Sequence, residues 1–441
     1  MEELRCAQEF SQLKSMLRQG KLGSYLIIPL KYEEGEVDED WLARTCRRRR
    51  IATTDLTETV KAMLNEGEGE PVGACYELAR TVLLEQLFGT QLPGAHGFTV
   101  RDEDGTEGEF DWCNSYLYLF HTRVAFLCLG LTFSQIETLD RICRLGYAEN
   151  GVAYRCLDAD GGVRSFSLDK RVLDLCGRAG LRSFFPDSRL LLEAYVYTVA
   201  VVSQRFRTLE ALKQVTFNLH QRSPLDTPAE DGSEEDVRYV YALKDQTRGS
   251  YRWGCCVSSQ TISYAVADEG MDLAEEMETQ AQDGLPLVLT ALYEKYTCLR
   301  FTQLIAAVDK KRMKELRALK RLLLEFRAYG TVDPANLSRW HNVKRIYQAV
   351  IETNGVPAAI EDISHKLNIL VEHQQEIETA RNDTVAWVLT LFGMVSILAS
   401  ILSIVQILSG GDPMVWFTTI MSSLVILLPV VVVVLLRRKG G

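Results

Sequence analysis

The chain has 441 residues, with 49 lysines and arginines against 59 aspartates and glutamates, for a formal net charge of −10. That balance excludes a general nucleic-acid binder, which needs a net basic surface to displace counterions, although local basic sites stay open. Eleven cysteines, an odd number, are scattered from Cys6 to Cys298 without the Cys/His spacing of a zinc site, so they read as free, mostly buried thiols in a reducing cytosol.

No apolar stretch follows Met1-Glu2-Glu3-Leu4-Arg5, and no signal peptide is expected. From there to about residue 280, short β-rich runs alternate with helical ones, which predicts a cytosolic α/β domain over 1–283. Residues 23–30 form an early strand in this reading. Runs 115–120 and 124–129 flank His121-Thr122-Arg123 as a hairpin, and 153–157 and 163–166 flank Asp158-Ala159-Asp160-Gly161-Gly162 as another. Run 195–202 is a strand or a buried helix, 209–222 a helix, 223–235 a polar surface loop, and 237–243 and 251–266 strands. The acidic group Asp102, Glu103, Asp104, Glu107 and Glu109 lacks the spacing of a calcium loop and reads as a solvated loop. Arg47 to Arg50 read as an exposed helix end rather than a phosphate site. With no phosphate-binding glycine loop, no dinucleotide fingerprint and no nucleophile–base arrangement among six histidines, no enzymatic activity is expected.

Past Gly284 the β signal disappears, and 284–383 reads as a cytosolic helical stalk. Pro286 starts a strongly apolar helix to about 307. Residues 309–326 follow as a basic one, carrying Lys310, Lys311, Arg312, Lys314, Arg317, Lys320 and Arg321, with Arg327 just beyond. That surface suits anionic lipid headgroups, an acidic neighbouring subunit or a nucleotide; it equally suits a solvated face paired with the acidic run 272–283. After a break at 329–334 and a helix through Trp340 and Tyr347, the positions Ile360, Ile363, Leu367, Leu370 and Ile377 keep a three-four spacing. One helix, roughly 75 Å long, is predicted over 358–408. Such a helix either transmits tilt and twist or serves as a rigid stalk.

The runs 384–408 and 414–436 contain no charged residue and reach roughly 34 to 38 Å as helices, against a hydrocarbon core of about 30 Å. They read as two membrane spans joined by an outer loop, 409–413. The basic tail 437–441, with Arg437, Arg438 and Lys439, puts both termini in the cytoplasm. In the first span Gly393, Ser396, Ser400, Ser403 and Gln406 form a stripe that lines an aqueous path in a ring of chains, or mediates close helix packing in lipid. Thr384, Val388 and Leu391 share a face as a hydrophobic gate or as plain packing. Asp412 gives the outer mouth a carboxylate ring, or is a turn residue before Pro413.

A cytosolic α/β domain, a helical section, a very long helix entering the membrane, a short outer loop, a second span and a basic tail: this plan resembles the CorA family of magnesium channels. The resemblance covers residues 285–438, beginning at Leu285-Pro286-Leu287-Val288-Leu289-Thr290-Ala291-Leu292-Tyr293, and is only topological before residue 280. The family's Gly-Met-Asn signature is absent; its place holds Ser409-Gly410-Gly411-Asp412-Pro413, and Gly393-Met394 is followed by Val395 in the inner half of the span. The resemblance implies a homopentamer in a bacterial inner membrane, contacting lipid, with the first span around the axis. It implies Mg2+ or another divalent cation as the transported or regulatory ion, with ligands unknown and no other cofactor required. Two alternatives stand beside it: a membrane effector gated by a small nucleotide ligand, as in CRISPR-associated relatives without the signature, and a non-conducting membrane-anchored scaffold.

Overall fold

The computed structural model describes residues 21–65, 72–89, 92–102, 104–144, 153–185, 193–223, 236–267, 272–307 and 313–408, with a few isolated positions besides. Fourteen strands form one mixed sheet among these residues. They are β1 (Leu22–Lys31), β2 (Arg47–Arg49), β3 (Gly73–Leu78), β4 (His96–Arg101), β5 (Glu107–Trp112), β6 (Ser115–Phe120), β7 (Val124–Phe133), β8 (Ala153–Leu157), β9 (Val163–Phe166), β10 (Arg182–Ser183), β11 (Tyr195–Val202), β12 (Arg238–Tyr241), β13 (Trp253–Val257) and β14 (Thr261–Ala267). The main path runs β12-β13-β14-β11-β1-β7-β5-β4-β8-β9. β11 and β14 are parallel; their neighbours are antiparallel.

β7 is where the sheet forks. Along one edge it pairs with β1 from end to end. Along the other it pairs first with β6, over 124–128, then with β5, over 131–133. Gly130 sits at the fork because a Cβ there would lie 2.4 Å from Cys113 Sγ and 2.5 Å from the Asn114 carbonyl oxygen. Pro29 is tolerated inside β1 for a related reason: the β11 ladder ends at Ile27 and the β10 ladder begins at Leu30, so the proline falls where no partner on that edge needs an N–H.

Both faces of the sheet are covered, which is why β1, β7 and β11 are buried almost without interruption rather than alternating. Leu22, Leu26, Ile28 and Leu30 of β1 join Leu127, Leu129 and Leu131 of β7 in one large core. The helices α3 (Arg80–Phe88), α4 (Ile136–Arg144), α5 (Leu168–Arg178) and α6 (Leu209–Gln221) supply the rest of it, through Phe88, Leu139, Val172 and Val215 among others. The alternate residues of β1 face α7 (Leu273–Gln282): Tyr25 Oη donates to the Met277 carbonyl at 3.0 Å. On that same side α8 (Gly284–Ala307) stacks Tyr293 on Phe120, ring centroids 4.2 Å apart. α8 is buried nearly all round from Leu285 to Phe301, as the apolar run 285–293 at its start requires.

Two local expectations change. Arg47–Arg49 is an edge strand, not a helix end, and Arg49 is tucked in: its guanidinium reaches Glu278 at 2.7 Å and Tyr116 Oη at 2.8 Å. Of the acidic group at 102–109, Glu107 and Glu109 lie on the outward face of β5, whose alternate residues Gly108, Phe110 and Trp112 are buried. Asp102 pairs with Arg141 at 2.5 Å; Glu103 lies outside the described residues.

The remaining helices are α1 (Glu39–Thr45), α2 (Glu58–Leu64), α9 (Met313–Glu325), α10 (Pro334–Leu337), α11 (His341–Thr353) and α12 (Val356–Leu408). A single π-turn, Phe326–Gly330, closes α9. The chain divides into two compact units, one of 1–308 with 318–365 and the other of 309–317 with 366–441. α12 is one uninterrupted helix of 53 residues, about 80 Å long.

Candidate functional site

Among the described residues one helix, α12, is long and apolar enough to cross a membrane. The second predicted span, 414–436, and Asp412 lie outside the described residues apart from isolated helical positions. In the apolar half of α12, large side chains stand open: Leu389 is 66% exposed, Ile397 61% and Ile407 81%. Trp387, Leu391, Met394, Leu398, Leu402 and Val405 are the partly covered ones. At about 100° per residue these six fall within roughly 80° of one another, so a single face is sheltered.

Gly393, Ser396, Ser400, Ser403 and Gln406 are all exposed. The three serines point about 165° from the centre of the sheltered face, and Gln406 lies about 90° off the serines. Ser400 Oγ donates to the Ser396 carbonyl and Ser403 Oγ to the Ala399 carbonyl, both at 2.9 Å. The hydroxyl protons of Ser400 and Ser403 are therefore satisfied inside the helix, and what these two serines offer outward is oxygen lone pairs. Thr384 and Val388 are exposed and Leu391 is half-buried. These three centre about 120° from the serines, so a straight helix does not bring the expected gate and the expected pore lining onto one face.

Of the basic residues only part is described. Lys310, Lys311 and Arg312 lie outside the described residues, as does the side chain of Lys314; Arg317 is exposed and Lys320 half-buried. Arg321 lines a cleft of about 1180 Å3 together with Thr57, Met63, His121, Tyr329 and Arg339. Arg321 and Arg339 there face Glu325 and Asp333, and Arg321 is paired with Glu325 at 2.8 Å, so the cleft carries no excess of positive charge. A second cleft, about 680 Å3, opens at the fork of the sheet and sets Glu109, Asp111, Asp272 and Glu278 against Arg80. The acidic run 272–283 turns partly inward, with Glu276 buried and accepting from Gln280 Nε2 at 2.6 Å.

The ten described cysteines are free thiols. Burial pushes Cys75, Cys176 and Cys256 up to about 12, which leaves them protonated and poor nucleophiles or ligands at neutral pH. Among the described residues no group of three or more His, Cys, Asp or Glu side chains is placed to hold a metal ion.

One acidic group is out of keeping with its surroundings. Glu294, inside α8, is 4% exposed. Its Oε1 accepts from Tyr347 Oη on α11 and from the Val332 N–H at 3.1 Å. Burial pushes this carboxyl up to about 7 in spite of those two donors. The sequence signal for it is a Glu placed directly after the run Leu285-Pro286-Leu287-Val288-Leu289-Thr290-Ala291-Leu292-Tyr293, which is apolar on every side of the helix and leaves little wet face for a charge to occupy.

No protein-family model matches the chain, and no curated protein matches it.

Proposed function

We propose that this chain is one subunit of an oligomeric cation channel of the CorA-like kind, anchored by its apolar C-terminal region and carrying a large folded body on the cytoplasmic side. The observation that carries the reading is the two-sidedness of α12, with one sheltered face and a serine stripe almost diametrically opposite. Burying a large aliphatic side chain is worth about 1.5–3 kcal/mol. Nine such side chains and Phe392 of α12, from Val385 to Leu408, are at least 40% exposed, so leaving them in water costs on the order of 15 kcal/mol, as much as the whole net stability of a domain. Lipid or neighbouring copies must cover them. In a ring of copies the serine stripe turns to the axis, where hydroxyl oxygens meet hydrated cations; Mg2+ or another divalent ion is the cargo this reading favours.

The test is reconstitution of the full-length chain in liposomes, with flux of Mg2+, Co2+, K+ and Na+ followed by ion-sensitive dyes, alongside the oligomeric mass in mild detergent. A ring of several copies and a flux that Ser400→Leu abolishes are the expected results. A monomer or dimer that passes no ion removes the channel and leaves an anchored scaffold. Flux seen only after a nucleotide is added moves the reading to a ligand-gated effector.

A further inference from the structure

Glu294 lies where three elements meet. The carboxyl belongs to α8, the Tyr347 hydroxyl to α11, and the Val332 N–H to the short segment between the π-turn and α10. Tyr347 Oη also lies 3.3 Å from the Val332 carbonyl oxygen, so the contact grips both sides of that residue. The residue before Glu294 seats the π-turn itself. The Phe326 ring packs edge-on against Tyr293, centroids 5.7 Å apart, and a Cβ on Gly330 would lie 2.9 Å from Tyr293 Oη. A π-turn is a costly irregularity that persists only where packing holds it. Here Tyr293 holds the turn and Glu294 holds the segment that leaves it.

Val332 also lines the 1180 Å3 cleft. The segment therefore stands between a buried carboxyl and open water. The titratable groups facing this point are Tyr293 and Cys298 from α8 itself, Tyr347 from α11, Asp333 from the segment, and His121, which reaches Tyr293 at 3.5 Å from the β6–β7 turn; Arg321, Glu325 and Arg339 line the cleft beyond Val332. Among the described residues no Lys or Arg is paired with Glu294. An ionised carboxylate at this place has two hydrogen bonds and no countercharge, which burial penalises heavily.

We propose that Glu294 is a proton-operated latch: protonated, it stays seated between Tyr347 and Val332; ionised, it draws water through the cleft and releases the segment 331–333 into it. The proton leaves to bulk water by the same route, and no other bond changes. The direction follows from linkage. The closed latch binds a proton more tightly than the opened, solvated carboxyl, so rising pH favours opening until the closed-state value is passed. The latch thus ties proton concentration to the end of the basic helix α9, whatever the chain conducts.

The experiment uses the full-length protein in phospholipid nanodiscs. Infrared difference spectra between about pH 5.5 and about pH 8.5 are expected to contain the carbonyl stretch of a buried protonated carboxyl, lost with a midpoint near 7 and missing in Glu294→Gln. Tyr347→Phe removes a donor to the ionised form, and the midpoint moves upward. Hydrogen exchange at Val332 and its neighbours, corrected for intrinsic rate, is expected to speed up about tenfold per pH unit to near 7 and then level, while Glu294→Gln stays flat. A midpoint near the ordinary carboxyl value, a band that survives in Glu294→Gln, or exchange at Val332 without that pH dependence overturns the latch. Should Glu294→Gln fail to fold, the midpoints of the wild type and of Tyr347→Phe decide. No arm requires ion flux, so failure of the channel reading and failure of the latch are separable.

Discussion

β1 and the apolar half of α12 are built from the same residue types and end in opposite environments. In Leu-Gly-Ser-Tyr-Leu-Ile-Ile-Pro-Leu-Lys the leucines and isoleucines of β1 are at most 1% exposed. In α12, Ile397, Ile401, Ile404 and Ile407 are between 49% and 81% exposed. Composition does not separate the two; covering does. The sheet has helices on both faces and so finishes its own burial, whereas α12 shelters one face and must take the rest from its surroundings. Changes in the body should therefore be read as folding energy, and changes on the exposed faces of α12 as effects on whatever covers them.

The largest expected effect is Leu129→Ala, in the middle of β7 and fully buried. It should cost about 3–4 kcal/mol, seen as a lower urea midpoint, because neither covered face can collapse into the cavity. Ile401→Ala in α12, by contrast, should leave that midpoint within about 0.5 kcal/mol. If the two cost the same, the distinction between the regions fails. Next comes Gly130→Ala at the fork, expected to cost about 2 kcal/mol because backbone and Sγ must both retreat from the new Cβ.

A pH effect of intermediate size sharpens the picture within the body. Burial holds His220 neutral and pulls it down to about 4, so the unfolded chain binds its proton first and stability falls as pH drops through roughly 6.5 to 4. Over that whole range the effect should reach about 3 kcal/mol. Glu294 acts with opposite sign between about 4.5 and 7, stability falling as pH rises, so the two slopes largely offset in the wild type. His220→Gln should expose a stability that falls as pH rises, and Glu294→Gln one that rises; thermal unfolding at a series of pH values checks both. Within the body the smallest effect belongs to Arg80→Ala. Its pair with Asp111, 2.8 Å long but 43% and 54% exposed, should contribute no more than about 1 kcal/mol and less in high salt.

Much of the body was legible because its strands announce themselves by turn chemistry. The hairpin of β8 and β9 has the predicted bounds, and its Gly161 takes the positive φ of 78° that the connection demands. β11 was ambiguous because an interior strand, buried at all eight positions, carries no period to separate it from a buried helix. β7 runs past Gly130 to Phe133: the glycine marks a close approach, which is indistinguishable in sequence from a strand end. The region 251–266 is two strands because Ser258 closes a turn, its N–H donating to the Thr261 carbonyl at 2.8 Å. β5 hides behind its carboxylates, although Gly108, Phe110 and Trp112 keep the alternation. For the candidate site, the serine stripe could be read from spacing alone. The sheltered face opposite it could not, since aliphatic side chains on every side of α12 give no clue to which of them is covered.

The pairing of β1 with β7 sets a condition on how the chain is made. Leu22 partners Phe133, so β1, the first strand among the described residues, waits about 100 residues for this companion. At about 5–20 residues per second that interval is on the order of 5–20 s, during which ten consecutive strand residues leave the ribosome with an unpaired edge. A nascent β1 thus spends that interval as an unpaired, aggregation-prone edge, and slowing translation between residues 31 and 124 should lower the yield of native protein more than slowing it anywhere after β7.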